Sequence, residues 1–234
     1  MDYKETDLNF LYDDLSREYG KKQAELLYSL MCQKYTDLCK YEIRFENDEM
    51  NEHIFNRILP TIGVYITLIE NGFTKEKALA VAHEEIQRNA NYKAKENTKL
   101  TKMPFTYSLF KMFAKSHMKK KYPIEGFTVK WRRYDYKEIH FDIVRCIYKE
   151  MCEKYCCPEL CTVFCQSDVT AFAGYKPKIR FERLGTIGEG ANCCDLDQIA
   201  AGLEGLLHTD ARTHQGGPGI LHQVDEALQG RAVG

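Results

Sequence analysis

Apolar residues recur at Leu8, Leu11, Leu15 and Tyr19. That is the spacing of one helical face, and Gly20 follows as a stop. A second stripe runs through Leu26, Leu30 and Tyr35, predicting another helix over about 22–45. Residues 54–72 continue the pattern: Pro60 fits a helix N-terminus or a kink, and Asn71-Gly72 fits a C-terminal stop. Thr74 then reads as an N-cap for a helix over 74–90, with Glu76 favourable in its first turn. Residues 105–118 also read as helix, closed by the basic run 119–123.

The period changes after Gly126. Residues 127–136 and 137–148 alternate and are rich in β-branched and aromatic side chains, so both read as strands. Helical spacing returns over 151–175, with Pro158 suited to the first helical position. Residues 178–187 read as a last strand. The outline is a helical N-terminal half followed by a small, mostly antiparallel sheet with a packed helix, β-β-α-β. Segregated strands and helices favour α+β over a doubly wound sheet. The expected organisation is a helical region over 1–125 and an α+β region over 126–197 packed on it as one domain. An atypical tail follows over 198–234.

The tail is set apart by composition. No lysine follows Lys178 and no aromatic residue follows Phe181, although the chain before them is rich in both. Two short amphipathic stretches, 197–207 and 220–229, could be helical, but the tail reads as foreign to the domain and is left out of the functional argument. Its histidines, His208, His214 and His222, are expected at the surface.

Composition narrows the function classes. Of 234 residues, 44% are hydrophobic, enough for a real core, and the formal charge of −1 offers no field for nucleic acid. The polar start is unlike a signal peptide, and the longest clearly apolar stretch, 62–69, is too short to span a bilayer. A cytoplasmic protein is expected, with a small-molecule substrate and neither nucleic acid nor membrane as partner. Eight of the ten cysteines lie between Cys146 and Cys194. In that compartment they are expected as reduced thiols. No C-x-x-C knuckle is present, so neither a zinc site nor any other cofactor is expected.

Those cysteines sit among other reactive groups. Cys161, Cys165, Asp168 and Phe172 share one face of the predicted helix. A thiol and a carboxylate there could serve proton transfer or bind an amidinium. The packing alternative, which helical spacing alone favours, turns Cys161, Cys165 and Phe172 to the core and pairs Asp168 with an arginine. Alternation over 138–146 puts His140, Asp142 and Cys146 on one face. His140 and Cys146 are about 20 Å apart along a strand, too far for a dyad. Arg183 falls in line with apolar Ile179 and Phe181, and must find an anion or bear desolvation. Gly185, Gly188 and Gly190 let the backbone approach something closely, and Cys193-Cys194-Asp195 ends the segment.

Four segments, VRCIYKE (144–150), PELCTVFCQSD (158–168), KIRFERLGTIGEGANCCDL (178–196) and ILPTIGVYITLIENGFTKEKAL (58–79), resemble the L-2-amino-thiazoline-4-carboxylic acid hydrolase family. The likeness covers roughly 55–196. The order of motifs is specific in combination: Cys after Arg, F-C-x-x-D, R-x-x-T-x-x-x-G, then C-D. Where the family has an aromatic residue after C-D, this chain has Leu196. The resemblance implies hydrolysis of a cyclic isothiourea, opening a thiazoline ring towards N-carbamoyl-cysteine. It points to Cys146, Cys165, Asp168, Cys194 and Asp195 as the reacting set and to Arg183, Thr186 and Gly190 as substrate-binding. Within that set, Asp168 is assigned amidinium binding and proton transfer, Arg183 carboxylate binding, and Cys165 or Cys146 the attack. Two other readings stand beside it: a metal-assisted hydrolase using Asp168, Asp195 and thiolates, and a non-catalytic binding or regulatory protein that keeps the pocket.

Overall fold

The computed structural model describes residues 1–201. Helices α1 (Leu11–Tyr19) and α2 (Lys21–Lys40) meet at Gly20, whose φ of 78° allows the sharp turn between them. Next comes one long helical rod in three parts. It opens as α3 (Asp48–Asn51), capped by the Asn47 side chain, widens into a π-helical segment over Glu52–Ile58, and continues as α4 (Leu59–Glu70). Pro60 has no N–H to donate and lies just past the wide turn, where the Leu59 N–H reaches back to the Ile54 carbonyl. Pro60 thus stands in the first turn of α4, the N-terminal option for it.

Thr74 caps α5 (Lys75–Leu100) by accepting from the Lys77 N–H, as its position predicts. This helix runs ten residues past the stretch the apolar pattern marked, and α6 (Thr106–Lys121) follows. Strands β1 (Phe127–Tyr134) and β2 (Glu138–Cys146) form a hairpin. The helix expected over 151–175 is broken: α7 (Ile147–Lys154) ends in a Schellman-type cap, with the Cys157 N–H on the Cys152 carbonyl and Cys156 at φ 56°. Glycine usually fills that position, so the sequence gives little warning. A short turn from Pro158 then leads into α8 (Cys161–Ala173).

The strand expected over 178–187 is the shorter β3 (Ile179–Glu182), and a strand the pattern did not mark, β4 (Cys194–Ala200), follows after a loop with one turn of 3-10 helix at Ile187–Glu189. The sheet order is β1-β2-β4-β3, antiparallel throughout, so the fold is α+β with a helical N-terminal half. β4 sits inside the sheet and extends to Ala200, past residue 197. The amphipathic stretch 197–207 therefore begins as strand. Its remainder, the stretch 220–229 and the tail histidines lie outside the described residues. No described helix is long and apolar enough to cross a membrane.

One face of the sheet, with Phe141, Ile143 and Leu196, is turned to the helices. The other carries Glu138, His140, Asp142, Asp195 and Asp197. Helices α5 and α8 pack tightly, tied by Asn97 Nδ2 donating to the Ala171 carbonyl at 2.9 Å and Thr98 Oγ1 to the Gly174 carbonyl at 3.2 Å.

Candidate active site

Between the sheet and helices α5, α6 and α8 lies a cavity of about 880 Å³. Its polar end is built from four places in the chain. Cys165 and Asp168, one turn apart, come from α8; Cys194 comes from the start of β4; Cys146 from the end of β2; Arg183 and Thr186 from the loop after β3. Each of these six lines the cavity.

Cys146 arrives there through a bulge. The β1–β2 register skips Val144, with Thr128 opposite Arg145 but Val129 opposite Ile143. One extra residue reverses the alternation beyond it. Cys146 therefore faces the cavity with Phe141 and Ile143, rather than sharing a face with His140 and Asp142 as strict alternation predicts.

Cys165 has the most unusual surroundings. The thiols of Cys161 and Cys194 hydrogen-bond to its sulfur, Thr186 adds a third contact and Arg183 a positive charge. These contacts outweigh burial and hold its pKa below the ordinary thiol range, which favours the thiolate. Cys146 and Cys194 go the opposite way: burial pushes Cys146 up to about 12, and donation to Cys165 raises Cys194. Gly188 permits this crowding, since a Cβ there would lie 3.0 Å from Cys161 Sγ and 3.1 Å from Cys165 Sγ. Ile187 N–H donates to Cys194 Sγ at 3.4 Å, fixing that thiol's position.

Asp168 makes no side-chain hydrogen bond or ion pair within contact distance among the described residues, contrary to the packing alternative's arginine partner. Burial raises its pKa to about 6, helped by the neighbouring Cys165 thiolate and opposed by Arg57, Arg183 and Lys93. Arg183 is held by Cys165 itself, donating from Nη1 to the Cys165 carbonyl at 2.7 Å, with Nη2 3.8 Å from Glu189. Thr186 is buried, its hydroxyl 2.8 Å from Glu189 Oε2. It braces the loop as well as contacting Cys165.

Two expected members are elsewhere. Asp195 lies next to Cys194 on the strand, so its side chain points to the opposite face of the sheet, 3.0 Å from His140 Nε2. A metal set joining Asp168 to Asp195 therefore has no geometry here. His140, Asp142 and Asp195 do bring ligand atoms within 4.8 Å of one another, but on that far face, where Arg132 already binds Asp142 at 2.5 Å. Gly190, at φ 92°, ends the 3-10 turn behind Thr186 and does not line the cavity.

Other lining groups carried no motif. His53 and Arg57, four residues apart, are brought to the cavity by the π segment. Arg57 donates to Asp7 Oδ2 at 2.9 Å and to Ser167 Oγ at 2.8 Å. His53 Nε2 donates to the Lys121 carbonyl at 2.7 Å, so its Nδ1 accepts from the Tyr148 hydroxyl at 2.8 Å. Burial keeps this imidazole neutral. Lys93 of α5 reaches the same end and forms no ion pair among the described residues; surrounding protein and Arg57 lower its pKa. Pro60 beside a polar, charged stretch was the available signal for the π segment.

Residues 51–197, more than half of the chain, match the family model described as L-2-amino-thiazoline-4-carboxylic acid hydrolase. The chain belongs to that family. The matched span runs from the π segment that carries His53 and Arg57 to the middle of β4, so it includes Lys93, Cys146, Cys165, Asp168, Arg183, Thr186 and Cys194. No curated protein and no solved structure matches the chain.

Proposed function

We propose that this protein hydrolyses a cyclic isothiourea, with L-2-amino-thiazoline-4-carboxylate as reference substrate and N-carbamoyl-cysteine as product. The observation that carries the reading is the Cys165 sulfur one helical turn from the Asp168 carboxyl, which has no ion-pair partner among the described residues, both at the wall of one cavity. The family description agrees with the reaction class.

The ring carbon between sulfur and two nitrogens is electrophilic once the amidine is protonated. Asp168, ionised above about pH 6, holds that amidinium. Lys93 and Arg183 supply positive charge for the ring carboxylate. The Cys165 sulfur adds to the ring carbon, giving a tetrahedral centre. The bond from that carbon to the ring sulfur then breaks, and the ring sulfur leaves as a thiolate. An S-linked isothiouronium on Cys165 remains. Water adds to the same carbon, Asp168 accepts its proton and returns it to the ring-derived thiolate, Cys165 departs as thiolate, and the urea sheds the proton the amidine carried. One water is consumed, one urea and one thiol are formed, and no electrons are exchanged. Cys165 is a better nucleophile than Cys146, which stays a protonated thiol up to about pH 12.

The test is incubation of the purified protein with the thiazoline acid, following N-carbamoyl-cysteine by mass spectrometry and new thiol by titration. Ring opening that disappears in Cys165→Ala and survives in Cys146→Ala is expected. Ligand binding without any product over a panel of cyclic isothioureas would sink the hydrolase reading and leave a binding protein.

A further inference from the structure

Residues 99–121 hold seven lysines, no arginine and no acidic residue, in a chain whose formal charge is −1. The segment covers the end of α5, the loop after it and all of α6. Lys99 pairs with Glu96, and Lys121 with Glu49. Lys102, Lys111, Lys115, Lys119 and Lys120 make no ion pair among the described residues. The outward side of α6 shows Met112, Lys115, Ser116, Lys119 and Lys120, all exposed. A whole-chain charge averages this face away, because the remainder of the chain is net acidic.

Large apolar side chains stand free at both ends of this helix. Phe105, just before α6, is 81% exposed, and Ile124, three residues past its end, is 84% exposed. Phe105 also has φ 59°, a left-handed conformation that bulky residues rarely adopt. It gives α6 no side-chain cap hydrogen bond. An aromatic residue there bears backbone strain and gains little burial, so its use lies outside the fold.

Positive charge attracts any polyanion, and the apolar groups select among them. Single-stranded nucleic acid needs open ring faces on which bases stack. The rings beside α6 are covered: Lys115 Nζ lies 4.3 Å and Lys111 Nζ 5.7 Å from the Tyr134 ring centre. Trp131 has Lys115 at 5.7 Å and packs edge-on against Tyr134 at 5.4 Å, and Tyr136 has Lys137 at 5.6 Å. Arginine, the usual fork for phosphate, is missing from 99–121. The free groups are Phe105, Met112 and Ile124, set along a 16-residue helix about 24 Å long with lysines between them. Apolar tips among lysines suit the boundary between headgroups and acyl chains of an anionic bilayer.

We infer that α6 and its two ends form a docking face for an anionic phospholipid membrane. Phe105 and Ile124 enter the headgroup region, with Met112 between them, and Lys102, Lys115, Lys119 and Lys120 sit over the lipid phosphates. Attachment is peripheral, since no described helix is long and apolar enough to cross. Docking through this face is independent of the reaction at Cys165.

The experiment is co-sedimentation of the full chain with vesicles of phosphatidylcholine alone and of phosphatidylcholine with about one-third phosphatidylserine. Binding to the anionic vesicles, and loss of it at high salt, is expected. Replacing Lys115, Lys119 and Lys120 together by Gln should weaken partitioning about 100-fold, at about five-fold per lysine. The same change at exposed Lys21, Lys22 and Lys176 is the control and should leave it nearly unchanged. Phe105→Asn should weaken it about ten-fold, the scale of burying much of a phenyl ring, with a Tm equal to or above the parent's because Asn suits the left-handed backbone. No binding to the anionic vesicles, equal binding to both kinds, or equal losses in the two triple variants overturns the inference. Parent-like binding by Phe105→Asn overturns it too, since charge alone would then hold the surface. So does binding to a single-stranded RNA probe, read by anisotropy, without binding to vesicles.

Discussion

Arg183 donates from Nη1 to the main-chain carbonyl of Cys165 at 2.7 Å, while its charge acts on the Cys165 sulfur. One side chain thus ties the loop after β3 to α8 and favours the thiolate. Arg183→Ala should shift the alkylation profile of Cys165 to higher pH and lower kcat/KM about 100-fold, the scale of a misplacement near 1 Å. Arg183→Lys keeps a charge but loses the planar fork. It should restore part of the alkylation shift and little of the turnover. A variant with lowered turnover and an unmoved alkylation profile would show that Arg183 only braces the loop.

Asp168 sets a pH limb. Its folded pKa of about 6 lies above the ordinary 3.8, so the native state keeps a proton that the unfolded chain has released between those values. The proton binding stabilises the fold fully below about pH 3.8, and that contribution is lost as pH rises through about 6. Catalysis runs the other way, because the ionised carboxylate is the useful form. kcat/KM should fall below an apparent pKa near 6, and Asp168→Asn should lose most turnover at every pH. The Tm gain of Asp168→Asn over the parent should be larger at pH 8 than at pH 4. Equal gains at both would mean that the carboxyl is not perturbed.

Selective labelling tests the thiolate. At pH 5–6, iodoacetamide should modify Cys165 well before Cys146, as read by peptide mass spectrometry, because only the former has surroundings that favour the thiolate. The thiazoline acid should slow that modification if ring and sulfur meet. Equal labelling of both residues would remove the basis for assigning attack to Cys165.

How far the sequence foretold this depends on which physical rule each element obeys. Helical periodicity placed Cys161, Cys165, Asp168 and Phe172 on one face; the last three line the cavity, and Cys161 is buried and does not. The cap at Thr74 followed from local chemistry in the same way. Strict alternation failed at Cys146, because a bulge at Val144 leaves no composition signal. It would have placed Asp195 correctly had β4 been recognised: neighbours on a strand face opposite ways, so Cys194 in the cavity excludes Asp195 from it. Arg57 and His53 depend on a π segment, and Lys93 on the extra turns of α5 beyond its apolar stripe. Those positions are set by long-range packing, which one chain's pattern does not encode.

The packing of α8 on α5 offers the sharpest stability test. Gly174 has an ordinary helical φ of −63°, so backbone strain gives no reason for glycine there. Space does: a Cβ at Gly174 would stand 2.1 Å from the Ala94 carbonyl oxygen, which is backbone and can move only with α5 itself. Gly174→Ala should therefore cost about 3 kcal/mol, the upper end for overpacking at a rigid contact, and lower the Tm by roughly 6–12 °C. Gly72 is the control. It has φ 84° but open space around its Cβ position, so Gly72→Ala should cost only about 1 kcal/mol through backbone strain. Since α8 carries both Cys165 and Asp168, the Gly174 variant should also lose turnover below its Tm, and the Gly72 variant should not. A thermal melt in which the two substitutions cost the same would show that the α5–α8 contact yields easily, and that the cavity wall is softer than its packing implies.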